Sequence, residues 1–189
     1  MKLYYAPGAC SLAPHIAMRE AGMPVELSKV DLKAKQYDGG DYKQVNGKGY
    51  VPAVETPDGV LTECPVILQY INGQKADLRL QEMLSFITSE IHKGMGNFFN
   101  PAMNDGWREA NTNRLGLRLD WVAKQLEGKQ YLMGDKFSVA DAYLFTILNW
   151  AGPSKFDMSR WPVLQEYQKR VAARPKVQEA LKAEGLLKS

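Results

Sequence analysis

Lys2-Leu3-Tyr4-Tyr5-Ala6-Pro7-Gly8-Ala9-Cys10-Ser11-Leu12, read on to Leu32, is the stretch that decides the fold. Lys2 to Ala6 is a short apolar and aromatic run ended by Pro7-Gly8, the pattern of a buried strand entering a turn. Ser11 then offers an N-cap, and Leu12, Ala13, Ile16 and Ala17 recur at helical spacing. Pro14 falls in the first turn, where a missing N–H is tolerated. Gly22 closes the helix, Pro24 prevents its restart, and Val25 to Leu32 reads as a second strand. Strand, helix and strand in this order predict a βαβ unit with parallel strands and a right-handed crossover.

Working outward, Val51 to Thr56 and Val60 to Glu63 flank Pro57-Asp58-Gly59, a hairpin signal. Pro65 suits the first turn of a helix whose apolar face is Val66, Ile67, Tyr70 and Ile71 and which Gly73 stops. Residues 1–74 therefore read as an α/β domain of order βα-β-ββα. Beyond Gly73 the strand signals vanish. Helical spacing runs over about 78–99, 107–126, 139–150, 163–174 and 176–184, which predicts an all-α domain over 79–189 behind a short linker at about 75–78. Ser138-Val139-Ala140-Asp141 is a capping box before a nearly wholly apolar helix, expected at the centre of that second domain.

Composition narrows the function classes. In 189 residues, 45% are hydrophobic and 24% charged, so the chain can bury a core. The formal charge is +3, and the Lys and Arg residues are scattered, with no run longer than Lys169-Arg170. That leaves no basic stripe for nucleic acid or anionic lipid. With only two His and two Cys in the chain, no metal is expected. Cys10 and Cys64 make no disulfide framework, which points to a reducing, cytoplasmic setting. Val139 to Trp150, the most apolar stretch of the C-terminal half, is interrupted by Asp141 and too short to span a bilayer. The N-terminus has no apolar core of signal-peptide length.

Three positions carry chemistry. Cys10 follows the first strand and precedes a helix, where backbone N–H groups and the helix dipole favour negative charge. A lowered thiol pKa is expected there, against the alternative of a small core residue. With no Cys-x-x-Cys, dithiol exchange within the loop is impossible, and any redox cycle needs an external thiol. Val51-Pro52 starts a hairpin strand. Alone it is an ordinary strand start, but a cis bond turns the Val51 carbonyl and N–H outward to pair with an extended peptide. Glu63-Cys64 before Pro65 reads either as capping or as a grip for an amino acid, the N–H groups taking its carboxylate and Glu63 its ammonium. His92 and Lys93 on an amphipathic helix, and His15, read singly as structural.

Taken together, the thiol loop, the Val51-Pro52 strand start and the Glu63 helix start resemble a cytosolic glutathione transferase of the bacterial beta class. Further matching motifs are Asp41-Tyr42, Val45-Asn46, Gly49-Tyr50, Leu61-Thr62-Glu63, Glu90-Ile91-His92-Lys93-Gly94, Phe137 to Phe145 and Ala183-Glu184-Gly185-Leu186. The resemblance implies a thioredoxin-like N-terminal domain, a homodimer, and glutathione as cosubstrate for conjugation to small hydrophobic electrophiles. It assigns catalysis to Cys10 and His92. Glutathione contacts fall on Cys10, Lys35, Val51, Glu63, Cys64, Ser85, Ser89 and His92, and the second-substrate pocket on Trp150. Within the same fold, thiol-disulfide exchange or peroxide reduction through a Cys10 mixed disulfide, or non-catalytic ligand binding, are the competing activities. Three departures stand out: a thiol at 64 where Ser, Asn or Gly is usual, Ser85 where Asn is common, and a shortened stretch from Gly73 to Leu80.

Overall fold

The computed structural model describes residues 1–73 and 77–187. The opening reads as expected: Lys2–Tyr5 (β1), Leu12–Glu20 (α1) and Glu26–Asp31 (β2), with β1 and β2 parallel and Leu3 opposite Leu27. Ala53–Thr56 (β5) and Gly59–Thr62 (β6) form the antiparallel hairpin, and β5 pairs antiparallel with β1. Between them lies a small hairpin the sequence reading lacks, Gln36–Tyr37 (β3) with Gly40–Asp41 (β4). Its signal was Asp38-Gly39, a strong turn pair whose strands are too short to show alternation. Among the described residues the strands make one mixed sheet in the order β4-β3-β2-β1-β5-β6. Cys64–Ile71 (α2) follows β6.

Two compact units emerge, and their division differs from the boundaries expected at 1–74 and 79–189. The first comprises Met1–Ala76 together with the chain from Ala173 onward, and the second is Asp77–Ala172. The expected joint at about 75–78 lies, through residue 76, outside the described residues. The last helix, Pro175–Ala183 (α9), belongs with the first unit because its apolar face packs on α1, which buries every residue from Leu12 to Met18. Polar contacts lock the two helices. Buried Glu184, at the end of α9, accepts from His15 Nδ1 at 2.9 Å and from the Gly8 N–H at 3.0 Å, and Arg174 holds Glu20 at 2.7 Å. Arg19 Nε donates to His15 Nε2, which leaves the His15 proton on Nδ1, facing Glu184.

The second unit is helical: Leu78–Phe86 (α3), Lys93–Asn97 (α4), Asp105–Gln125 (α5), Val139–Leu148 (α6), Ala151–Ser154 (α7) and Pro162–Ala172 (α8). The single helix expected over 78–99 is interrupted by a π-helical turn, Ile87–His92. Thr88 Oγ1 donates to the Leu84 carbonyl at 2.8 Å, taking the acceptor an α-helical amide would use, and the turn widens. α6 is buried along its whole length, as its composition required. Its capping box is present, with Asp141 accepting from the Ser138 N–H at 2.8 Å and the Ser138 hydroxyl at 2.7 Å. Asp141 also takes the Leu132 N–H and the Tyr167 hydroxyl, so one carboxylate ties three segments together. Among the described residues no helix is long and apolar enough to cross a membrane.

Candidate active site

Ser11 occupies the N-cap position of α1 but does not cap it. Its hydroxyl bonds both the N–H and the carbonyl of Ala6 at 3.2 Å, closing the loop between β1 and α1 from within. Gly8 supplies the positive φ of +71° that this loop needs, and its N–H is the one held by Glu184. The loop is thus pinned at Ala6, Gly8 and Ser11 around Cys10.

The Cys10 thiol donates to the Val51 carbonyl at 3.3 Å. The Val51-Pro52 bond is cis. Approach to it is fixed by the Tyr42 hydroxyl and the Asn46 amide, which donate to the Tyr50 carbonyl at 3.0 and 2.7 Å. These two matched positions had no assigned role from sequence, since their work is done across a loop. The expectation of a lowered Cys10 pKa is reversed: burial pushes the thiol from its ordinary 9.0 up to about 12. The N–H groups of Cys10 and Ser11 do stabilise the thiolate, but less than burial destabilises it, and the nearby Glu63 charge adds to the rise. Cys10 at neutral pH is a neutral hydrogen-bond donor.

Glu63 sits at the start of α2 with φ 69° and ψ 115°, a region that non-glycine residues avoid. Its carboxylate does not cap α2; it pairs with Lys48 Nζ at 2.5 Å, and the same ammonium reaches Thr62 Oγ1 at 3.0 Å. Lys48 lies fifteen residues away in sequence and gave no signal there. Cys64 is buried, and its thiol faces the Cys10 carbonyl at 3.7 Å rather than standing at the helix mouth as expected. Lys35, also at positive φ, sends Nζ to the Gly49 carbonyl at 2.7 Å. The first unit therefore gathers Cys10, Val51, Glu63 and Cys64 at one end of the sheet and tethers Lys35 to the loop before Val51.

The remaining candidates lie on the second unit. His92 Nδ1 is 2.7 Å from the Tyr143 hydroxyl, and its ring meets Tyr143 and Trp150 edge-on at centroid distances of 5.7 and 5.0 Å. Phe99 packs against Trp150 at 5.8 Å. Burial and, secondarily, the neighbouring Lys93 lower the His92 pKa from 6.5 to about 4, so the imidazole is neutral at neutral pH. Ser85 on α3 and Ser89 in the π-helical turn are exposed. Among the described residues no cluster of His, Cys, Asp or Glu could hold a metal ion.

Residues 1–73 match the model of the glutathione S-transferase N-terminal domain, and residues 79–175 that of the C-terminal domain. The chain belongs to the glutathione S-transferase family. A glutathione S-transferase of Escherichia coli O157:H7, GstA, is 40% identical over 200 residues, covering 98% of this chain and all of its own. A sphingomonad glutathione S-transferase solved in complex with glutathione is 42% identical, with a TM-score of 0.92 over 99% of this chain and all of the other. The beta-class enzyme of Sphingomonas chungbukensis is 43% identical, with a TM-score of 0.90 over the same shares. The family and the thioredoxin-like and helical domains expected from the sequence are therefore those the molecule has. At position 64 of this transferase a buried thiol backs the Cys10 loop.

Proposed function

We propose that this transferase binds glutathione on its first unit and conjugates it to small hydrophobic electrophiles. The observation that carries the assignment of the binding end is Glu63. An acidic residue held at φ 69° beside a helix N-terminus is a strained arrangement of the kind retained where a ligand uses it. In this reading Glu63 takes the γ-glutamyl ammonium and the N–H of Cys64 its carboxylate. The backbone of Val51 pairs with the cysteinyl unit as a short β-bridge, and Lys35 turns from Gly49 to the glycine carboxylate.

The chemical task is to hold more of the glutathione sulfur as thiolate, each unit of pKa depression being worth about 1.4 kcal/mol. When the ligand backbone takes the Val51 carbonyl, the Cys10 S–H loses its acceptor and is released to donate to the ligand sulfur. A protonated Cys10 suits that role better than a thiolate, which would repel a second one. His92, neutral at neutral pH, offers a hydrogen-bonding imidazole rather than a positive charge. Ser85 and Ser89 are assigned to glutathione and Trp150, with its aromatic neighbours, to the apolar electrophile. We assign the enzyme to the cytoplasm and a homodimeric state, which size-exclusion chromatography with light scattering tests.

Retention on immobilised glutathione, followed by turnover of a chloronitrobenzene-type electrophile and of hydroxyethyl disulfide, tests the activity. Conjugation above the uncatalysed rate is expected, with Glu63→Gln binding glutathione more weakly. Full retention and turnover by Glu63→Gln would place the ligand elsewhere.

A further inference from the structure

The sequence separates Cys10 from Cys64 by 54 positions, but the fold sets the Cys64 sulfur against the main chain of Cys10, 3.7 Å from its carbonyl oxygen. Cys64 is buried at 4% exposure, whereas Cys10, although its sulfur is desolvated, is the less buried residue of the two. A disulfide reagent from solution meets Cys10 first, and Cys64 then reacts with whatever Cys10 carries. We propose that Cys64 is a resolving thiol, which attacks a mixed disulfide formed on Cys10 and closes an intramolecular Cys10–Cys64 disulfide. The activity added is dithiol exchange with small disulfides such as oxidised glutathione. The inference goes beyond the conjugation reading and rests on it only in naming the glutathione sulfur as the partner that reaches Cys10.

The chemistry balances in two exchanges. Cys10, having given its proton to solvent, attacks one sulfur of oxidised glutathione. The glutathione S–S bond breaks, a Cys10–glutathionyl bond forms, and one glutathione leaves as thiolate and takes up a proton. Cys64 then loses its proton and attacks Cys10 Sγ. The mixed disulfide breaks, the protein disulfide forms, and the second glutathione leaves and is protonated. Two protein thiols are oxidised, and one oxidised glutathione becomes two reduced ones. Closing the bridge requires the Cys10 thiol to leave the Val51 carbonyl and the two sulfurs to reach the S–S distance of about 2 Å. The scarcity of Cys10 thiolate makes the first exchange the slow one.

The test treats the reduced full chain separately with oxidised glutathione and with hydroxyethyl disulfide, quenches with acid and alkylates. Intact mass and peptide mapping are compared for wild type, Cys64→Ser, Cys64→Ala and Cys10→Ser. The expected result is a wild-type monomer two hydrogens lighter, with a Cys10–Cys64 peptide and no lasting adduct. Both Cys64 variants should accumulate the adduct on Cys10, and Cys10→Ser should stay reduced. A lasting Cys10 adduct on wild type, a disulfide linking two chains, or no oxidation with either reagent overturns the proposal. Closure with hydroxyethyl disulfide but not with oxidised glutathione supports the thiol pair and overturns the glutathione site instead.

Discussion

Alkylation of Cys10 in the ligand-free Cys64→Ser variant should be slow at neutral pH and should climb steeply at alkaline pH. Burial raises this thiol from 9.0 to about 12. Three units leave about a thousandfold less thiolate than an ordinary cysteine near neutral pH. A more basic thiolate is also a better nucleophile, and with a Brønsted slope of ~0.4–0.5 this returns a factor of about fifteen to thirty. The net expectation is a rate with iodoacetamide roughly thirty- to sixtyfold below that of a short cysteine peptide. Restricted access can lower the rate further, but it lowers it equally at every pH. The slope with pH therefore separates the two causes. A peptide thiol levels off at about pH 9, whereas Cys10 should go on gaining about tenfold per unit beyond that. The sign for stability follows. A folded pKa above the unfolded one gives a contribution present below about pH 9 and lost as pH rises toward 12. Peptide-level mass spectrometry over a pH series decides the matter. A plateau at about pH 9, or a neutral-pH rate equal to the peptide's, would refute the argument that burial outweighs the two N–H groups.

Glu63→Gly should release the strain at φ 69°, leaving stability unchanged or raising it by up to ~1 kcal/mol, while glutathione affinity falls. A stability loss with intact affinity, read by thermal unfolding and calorimetry, would make Glu63 a structural partner of Lys48 instead. Asp141→Ala strands the buried Leu132 N–H and Tyr167 hydroxyl and should destabilise by about 3–5 kcal/mol, against about 1 kcal/mol for Ser138→Ala. Glutathione affinity of the surviving fold should be little changed in both, and denaturant unfolding with a binding assay checks the pair. His92 should titrate near 4 by NMR and leave no inflection near 6.5 in the pH–rate profile. Because its folded pKa is depressed, its contribution to stability is present above 6.5 and is lost as pH falls toward 4.

Local chemistry is what the sequence determined by itself. The βαβ opening, the hairpin at Pro57-Asp58-Gly59 and the capping box at Ser138 to Asp141 are written in neighbouring residues, whose spacing and turn chemistry act within a few positions. The positions of Cys10, Val51-Pro52 and Glu63 on their elements were legible for the same reason. What only the tertiary structure decided are the terms that depend on burial and on partners distant along the chain. A helix N-terminus promises a lowered Cys10 pKa, yet the sulfur is desolvated and the sign reverses. Glu63 looks like a cap, but a lysine from the loop before Val51 claims its carboxylate. Ser11 has the composition of an N-cap, but Ala6 offers its hydroxyl both a donor and an acceptor. α9 reads as one more helix of the second domain until α1 and the His15–Glu184 pair draw it to the first unit. Cys64 and Cys10 become a pair only through the fold, because proximity of residues 54 positions apart is fixed by how strands and helices pack, not by any local pattern.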